Sequence, residues 1–197
     1  MSAWLKEVEL IGEVVKLTPL KASHKQQLLA AASDGELWNL WYTWVPSKND
    51  IDSFIEIALA QKENQTALPF VVIDLKSDKV IGTTRFMNAD SENRRLEIGS
   101  TWYAASSQRT GINTECKYLL LQHAFEKLNC IAIEFRTNWF NYRSRNAILR
   151  LGAKQDGVLR NHRIDSNGIL RDTVVFSIIS MEWPVIKKSL KYEIDKH

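Results

Sequence analysis

The segment Gln108-Arg109-Thr110-Gly111-Ile112-Asn113 lies between two stretches of different hydrophobic periodicity. The residues before it, 96–103, are typical of a β-strand, and the residues after it, up to 128, repeat apolar side chains at helical spacing. The first N–H groups of a helix lack intrahelical partners and lie at the positive end of the helix dipole, so they bind phosphate groups. Gly111 has no Cβ, which lets a ligand approach the backbone. The segment therefore predicts an anion site between a strand and a helix.

Length and composition predict a single globular domain over residues 1–197, because 45% of the residues are hydrophobic and 25% are charged. The formal net charge of +3 is spread along the chain, which suits an anionic small ligand and does not require nucleic acid. No apolar run approaches the roughly 18 residues that a bilayer span needs, and no apolar signal core follows Met1. We therefore expect a cytoplasmic protein without a nucleic-acid or membrane partner and without a metal site. Cys116 and Cys130 are expected to be buried free thiols.

Alternating apolar residues predict a first strand over 13–18 and an antiparallel meander over 69–74, 80–87 and 96–103. A helix from 113 to 128 separates the last of these from a strand at 131–136, so we expect those two strands to be parallel. Two further strands, 158–164 and 173–179, surround an Asp165-Ser166-Asn167-Gly168 turn. The predicted fold is α/β (α+β): a mixed, mostly antiparallel central sheet with helices on both faces.

The order of these elements resembles the GNAT acyl-CoA N-acetyltransferases. The motifs that carry the resemblance are the meander, the Gln108-Arg109-x-Gly111 turn, Asn141-x-x-Ser144 and Leu151-Gly152-Ala153. The resemblance is strongest over residues 96–153, and it is closest to the RimJ/RimL-like branch, the relatives of ribosomal-protein N-terminal acetyltransferases. Asn113 stands where the family usually has Gly or Ala. Because Asn can cap a helix with its side chain, we expect the turn to be retained. Gly152 is expected to end its helix in the left-handed conformation.

The resemblance implies acetyl-CoA, or coenzyme A after transfer, as the cofactor. Its pyrophosphate would bind the N–H groups from Arg109 to Thr114, and its pantetheine arm would pair with a strand that splays from its parallel neighbour. Gly99, inside that strand, predicts a β-bulge or a close backbone approach. The implied cofactor contacts are Ser100, Thr101, Trp102, Tyr103, Gln108, Arg109, Thr110, Gly111, Ile112, Asn113, Thr114, Asn141 and Ser144.

Two residues are implied to act in catalysis, Glu97 as general base and Ser144 near the cofactor sulfur. Burial in a central strand would raise the pKa of Glu97, which suits a base that accepts a proton from an amine. A salt bridge from Glu97 to Arg85 or Arg95 is the alternative, and His162 is a rival base. The alternative role for Asn141 is a helix cap, and the alternative for Ser144 is a hydroxyl that bonds local backbone.

An aromatic segment supplies the candidate acceptor-binding residues Trp38, Trp41, Tyr42 and Trp44. These side chains would either line the acceptor pocket or form core and homodimer contacts. Three arginines, Arg136, Arg143 and Arg145, would either meet the cofactor 3′-phosphate or be solvated surface charges.

The predicted function is acetyl transfer from acetyl-CoA to a primary amine, by direct attack in a ternary complex. The acceptor is expected to be a protein N-terminus or a small molecule. The sequence does not distinguish the two, because acceptor pockets vary independently of the fold. One alternative is a non-catalytic acyl-CoA-binding module. Another, an RNA- or ribosome-associated protein, has little support, because the aromatic residues are not interleaved with Lys or Arg.

Overall fold

A single mixed sheet runs through the computed structural model, which describes residues 4–165 and 167–196. Within these ranges eight strands pair in the order β1-β2-β3-β4-β5-β6-β8-β7. The strands are β1 (Leu10–Ile11), β2 (Val15–Pro19), β3 (Leu68–Asp74), β4 (Lys79–Asp90), β5 (Arg95–Tyr103), β6 (Ala132–Asn138), β7 (Lys154–Ile164) and β8 (Leu170–Ile179). Only β5 and β6 are parallel; the other neighbouring pairs are antiparallel. The predicted fold class is therefore confirmed.

Helices pack on both faces of the sheet, as predicted. They are α1 (Lys25–Ser33), α2 (Ile51–Glu63), α3 (Ile112–Glu126), α4 (Tyr142–Arg150) and α5 (Trp183–Ile194). Successive strand residues point to opposite faces, so Phe70 of β3 joins the core beneath α3 and α5, and Val71 joins the core beneath α1 and α2. No helix in residues 4–165 and 167–196 is long and apolar enough to cross a membrane.

Several local predictions are confirmed and others are corrected. The segment predicted as one strand over 13–18 contributes only to β2, because a turn at Gly12 separates it from the short strand β1. Gly152 has a φ of +93°, as a left-handed helix end requires. β7 and β8 form the predicted antiparallel pair, although Ser166 of their turn lies outside the described residues.

The two cysteines are buried and unbonded, as the sequence predicted. Burial raises the pKa of both the Cys116 and the Cys130 thiol to about 12. Because the thiolate is the reactive form, neither thiol is poised to act as a nucleophile near neutral pH.

Candidate active site

The parallel pair β5–β6 diverges after only three residue pairs. Arg95, Leu96 and Glu97 pair with Ala132, Ile133 and Glu134, whereas the rest of β5 pairs with β4 alone in the described part of the chain. The strands therefore splay, as the family resemblance implied. The remainder of β5 has one open edge, and backbone groups on an open edge can pair with an extended ligand.

A β-bulge lies in the open part of β5. The register pairs Arg85 with Gly99 and Thr83 with Trp102, so Ser100 and Thr101 together face a single residue of β4. Ser100 has a φ of +47°, in the left-handed region. The bulge that Gly99 predicted is therefore present. A Cβ on Gly99 would lie 3.0 Å from Glu97 Oε1 and 2.9 Å from Met87 Sδ. The glycine thus leaves room for the Glu97 carboxylate.

The turn between β5 and α3 presents backbone N–H groups. Among the described residues, no acceptor bonds the N–H groups of Arg109, Thr110, Gly111, Asn113 and Thr114. The Ile112 N–H makes only a long contact, 3.4 Å, to Thr110 Oγ1. Unpaired donors at a helix start fit a diphosphate by charge and by hydrogen bonding, so the residues present suit coenzyme A.

The structure gives the backbone conformation of Gly111 and corrects the expectation for Asn113. Gly111 is the N-cap of α3, with φ −65° and ψ −15°, a conformation open to any residue. The dihedral angles therefore do not require glycine at this position, and the lack of a Cβ matters only for the close approach of a ligand. Asn113 lies inside the first turn of α3 and does not cap the helix, because α3 already begins at Ile112. Gln108 braces the turn, since its Nε2 donates to the Tyr103 carbonyl at 2.6 Å.

The start of α4 follows the end of β6. Asn141 caps this helix: its Oδ1 accepts the Ser144 N–H at 3.0 Å. This is the cap arrangement that the sequence left open for Asn141. Ser144 is half-buried, and within the described residues its hydroxyl has no hydrogen-bond partner. Asn138, at the end of β6, has a buried Nδ2 that likewise bonds no described residue. Sequence reasoning missed Asn138, because nothing in a strand pattern marks the last residue of a diverging strand.

Glu97 is 8% exposed and lies in the last of the paired positions of β5 and β6. Asn88 Nδ2 donates to Glu97 Oε2 at 2.7 Å, and Arg136 Nε lies 3.6 Å from the same oxygen. Burial raises the pKa of the Glu97 carboxyl above its usual value, and the nearby charge of Glu134 adds to this. Arg136 and the Asn88 hydrogen bond act in the opposite direction on this pKa. A raised pKa makes this carboxylate a stronger base than a solvated glutamate.

The salt bridges proposed for Glu97 as an alternative do not form. Arg95 binds Glu134 at 2.6 Å. Arg85 lies over the ring of Phe54 and donates to Gln61 at 2.7 Å. Arg136 is the cation at salt-bridge distance from Glu97, and it also pairs with Glu134 at 2.9 Å, although the residue stays exposed. Strand alternation places residues 134 and 136 on one face, which is the signal that could have found this group.

An open cavity of about 310 Å³ lies at Glu97. Its lining residues are polar or charged except for one leucine: Asn88, Asp90, Arg95, Leu96, Glu97, Glu134 and Arg136. His162, the rival base, is not among them. That histidine is exposed on β7, where its Nδ1 lies 3.0 Å from Thr173 Oγ1. The structure therefore brings Glu97, and not His162, to a cavity beside the strand divergence.

The aromatic segment divides into two parts. Trp38 packs against the core beneath α1 and α2, and Trp44 lies 5.6 Å from Phe54 of α2, measured between ring centroids. Trp41 is 67% exposed and lies at centroid distances of 5.7 Å from both Tyr42 and Phe140. Because Phe140 follows β6 directly, Trp41 joins the loop before α2 to the end of the splayed strand.

The other two arginines that the sequence suggested for the 3′-phosphate, Arg143 and Arg145, lie on α4. Arg145 stacks over Trp139 at 4.3 Å and donates to the Trp139 carbonyl, whereas Arg143 is exposed. A contact of Arg136, Arg143 or Arg145 with the cofactor 3′-phosphate stays a prediction.

Comparisons with known proteins agree with this geometry. The model of the acetyltransferase (GNAT) domain matches residues 15–154. The chain is 28% identical over 145 residues to YdaF of Bacillus subtilis (strain 168), a protein provisionally named a ribosomal N-acetyltransferase; the alignment covers 73% of this chain and 78% of YdaF. It is 31% identical over 114 residues, 58% of its length, to the uncharacterized N-acetyltransferase p20 of Bacillus licheniformis, and it spans just 63% of that protein.

A solved structure extends the similarity to nearly the whole chain. The GCN5-related N-acetyltransferase from Brucella melitensis superposes with a TM-score of 0.87 at 30% identity, over 96% of this chain and 86% of that one. The family recognised from the sequence is confirmed, and the likeness to YdaF agrees with the RimJ/RimL-like branch. With its splayed β5–β6 pair and a matching domain model over most of its length, the chain belongs to the GNAT family of acetyltransferases.

Proposed function

We propose that this protein transfers an acetyl group from acetyl-CoA to a primary amine, by direct attack in a ternary complex. The observation that carries the proposal is the position of Glu97. It is a buried carboxylate with a raised pKa, at the last paired residue before β5 opens. Acetyl-CoA supplies the acetyl group as a thioester, which an amine attacks readily once it is neutral.

Three parts of the chain bind the cofactor in this proposal. The free N–H groups from Arg109 to Thr114 receive the diphosphate. The open edge from Ser100 to Tyr103 pairs with the amides of the pantetheine arm. Asn138 Nδ2, Asn141 Nδ2 and the Ser144 hydroxyl lie at the opposite side of the divergence, where they can donate to the same arm.

Glu97 accepts the proton that the amine loses as it forms the new C–N bond, directly or through a water molecule. Asn88 and Arg136 hold the carboxylate in place from its Oε2 side. A backbone N–H of β5 stabilises the negative charge that develops on the acetyl oxygen. As the C–S bond breaks, the sulfur would take a proton from the Ser144 hydroxyl, which regains one from solvent, while Glu97 releases to solvent the proton that it took from the amine.

In this proposal the acceptor enters through the cavity at Glu97 and passes the exposed rings of Trp41 and Phe140 and the half-buried ring of Tyr42. We assign Trp41 and Tyr42 to this entrance. Trp38 lies behind them against the helix core, whereas Trp44 contacts Phe54 of α2 on one side and stays exposed on the other. A protein N-terminus or a small amine both fit this description. The exposed rings of Trp41 and Trp44 also offer a homodimer contact, and the buried free thiols suit the reducing cytoplasm.

The test is acetyl-CoA turnover with mixed amines and N-terminal peptides, measured by thiol release. In Glu97→Gln we expect kcat to fall roughly 100-fold or more, the scale of general base catalysis, with acetyl-CoA affinity unchanged. Glu126→Gln is the matched control, because Glu126 is also a hydrogen-bonded carboxylate but lies on α3, where it binds Trp183 and Lys187.

Two results would contradict the proposal in different ways. If the wild type binds acetyl-CoA but acetylates no amine in the panel, the protein is an acyl-CoA-binding module. If Glu97→Gln retains the wild-type kcat and pH profile, transfer proceeds without Glu97. Gly111→Arg should abolish acetyl-CoA binding, because the new side chain fills the turn. Tight binding by this variant would mean that the diphosphate binds at another site.

A further inference from the structure

Helix α3 presents two charged residues to the sheet, Glu115 and Lys117, and both are buried. Glu115 is fully partnered: its carboxylate accepts the backbone N–H groups of Glu13, Val14 and Val15 at 2.6 to 2.9 Å. Lys117 is 5% exposed, and within residues 4–165 and 167–196 no carboxylate pairs with it. A buried ammonium without a counter-charge destabilises a fold, so stability alone does not explain Lys117.

The partners of Lys117 are two threonine hydroxyls. Its Nζ lies 2.9 Å from Thr101 Oγ1 and 3.3 Å from Thr84 Oγ1. Burial lowers the pKa of the ammonium to about 8, which is consistent with the missing counter-charge. The two threonines lie 2.8 Å apart, Thr84 on β4 and Thr101 on β5. The ammonium therefore ties the two strands together through side chains.

These hydroxyls lie at the bulge of β5. Thr101 is one of the two residues that face a single position of β4, and Thr84 occupies that position. The Thr101 hydroxyl also reaches the Gly99 carbonyl at 3.3 Å. With Lys117 donating to both threonines, Thr84 can donate to Thr101, and Thr101 to Gly99. At a bulge the ladder of backbone hydrogen bonds is interrupted, so the side-chain network replaces part of that restraint.

We propose that Lys117 is a positioning residue that holds the bulge of β5, so that the open edge from Ser100 to Tyr103 has the shape that the acyl donor requires. This inference rests on the proposed function for its catalytic consequence. Its structural part, the restraint of the bulge, is independent of any activity. A residue that holds the donor strand acts on the chemical step without contact to the amine, because small displacements of reacting groups slow a reaction strongly.

The test combines a structural and a kinetic readout on Lys117→Met, which keeps the bulk of the side chain and removes the charge. We expect a melting temperature equal to or above that of the wild type, because an unpaired buried charge is gone. We expect amide hydrogen exchange at residues 100–102 in the cofactor-free protein to accelerate about tenfold or more. We also expect kcat to fall about tenfold, with a smaller change in KM for the acceptor.

Two further variants make the result decisive. Thr101→Val retains Lys117 and removes the hydroxyl at the bulge, so it should change exchange and kcat in the same direction, and it decides the matter if Lys117→Met does not fold. Thr173→Val is the matched control, a buried strand threonine on β8 that contacts His162 and not Lys117. It should leave exchange at residues 100–102 unchanged.

The outcomes separate the two proposals. Wild-type exchange and kcat in both Lys117→Met and Thr101→Val would overturn the role of Lys117. A uniform rise of exchange across the sheet, with a lower melting temperature, would also overturn it by showing a role in overall stability only. If the wild type acetylates no amine, the proposed function fails, and local exchange at the bulge still decides whether Lys117 holds it.

Discussion

The two halves of β5 differ in almost every respect. From Arg95 to Glu97 the strand is paired on both edges, to β4 and to β6. From Gly99 to Tyr103 it pairs with β4 alone among the described residues, it contains a bulge at Ser100, and Lys117 of α3 donates a hydrogen bond to Thr101. The first half carries the buried carboxylate, and the second half offers free backbone groups.

In the proposed mechanism this difference lets one strand serve both the amine and the acyl donor. A base needs a fixed position and a partly dry environment, and a strand between two neighbours provides both. An extended acyl donor needs a free edge, which a strand acquires only when a neighbour diverges. The transition between the halves lies at Gly99, two residues from Glu97. Variants near this transition therefore distinguish the role of each half.

The largest expected effect is on the stability of the open half. In Gly82→Ala the new Cβ would lie 2.1 Å from the Trp102 carbonyl oxygen and 2.9 Å from Tyr103 Cα, both backbone atoms. The two strands would have to separate, and we expect the free energy of unfolding to fall by about 3 kcal/mol or more. Urea unfolding measures this change.

Gly157→Ala is the control for that prediction, because its new Cβ has no atom within 4 Å and should change stability little. Equal stability of the two variants would mean that β5 is not held as closely to β4 as its backbone indicates.

A smaller effect is expected at the transition itself. In Gly99→Ala the new Cβ contacts the ends of two flexible side chains, Met87 and Glu97, so the fold should persist. The displaced Glu97 carboxylate should lower kcat about tenfold, with acetyl-CoA affinity nearly unchanged. Steady-state kinetics with separate titration of the two substrates measures both quantities. Loss of acetyl-CoA binding instead would assign Gly99 to the donor edge.

The smallest expected effect is on the pH dependence of stability, and it comes from Glu97 in the paired half of β5. Burial raises the folded-state pKa of Glu97, so the folded protein retains a proton that the unfolded chain has released. As pH rises from the ordinary pKa of a glutamate to the raised value, the wild type should therefore lose stability relative to Glu97→Gln. Above that window the difference should be constant. Melting temperatures of both proteins across pH 4 to 8 measure it, and parallel curves would show an unshifted pKa.

Much of the architecture could be predicted from local patterns. The strand pairing of β5 with β6 follows from the helix between them, since a crossover connection makes neighbouring strands parallel. The bulge could be predicted from Gly99, because a glycine inside a strand often marks a bulge or a close backbone approach. The left-handed Gly152 follows from its place at a helix end. Each of these three features depends on residues close to one another in sequence, so a local sequence pattern is enough to predict it.

The partners of the buried charges could not be predicted in this way. A salt bridge from Glu97 to Arg85 or Arg95 was the alternative to its role as a base, and the carboxylate lies instead beside Asn88 and Arg136. Lys117 was not singled out, because a lysine in a helix is ordinarily solvated. Only the sheet register shows that it lies under a bulge and meets Thr84 and Thr101.

The sequence by itself thus determined the order of the elements, the parallel pair, the strand–turn–helix arrangement around Gly111 and the family, because hydrophobic period and turn chemistry are local properties. The tertiary structure alone decided which charges meet, where β5 and β6 part, and what restrains the open strand. Those features depend on side chains from distant segments, and their contacts exist only once the sheet register and the helix packing bring the segments together.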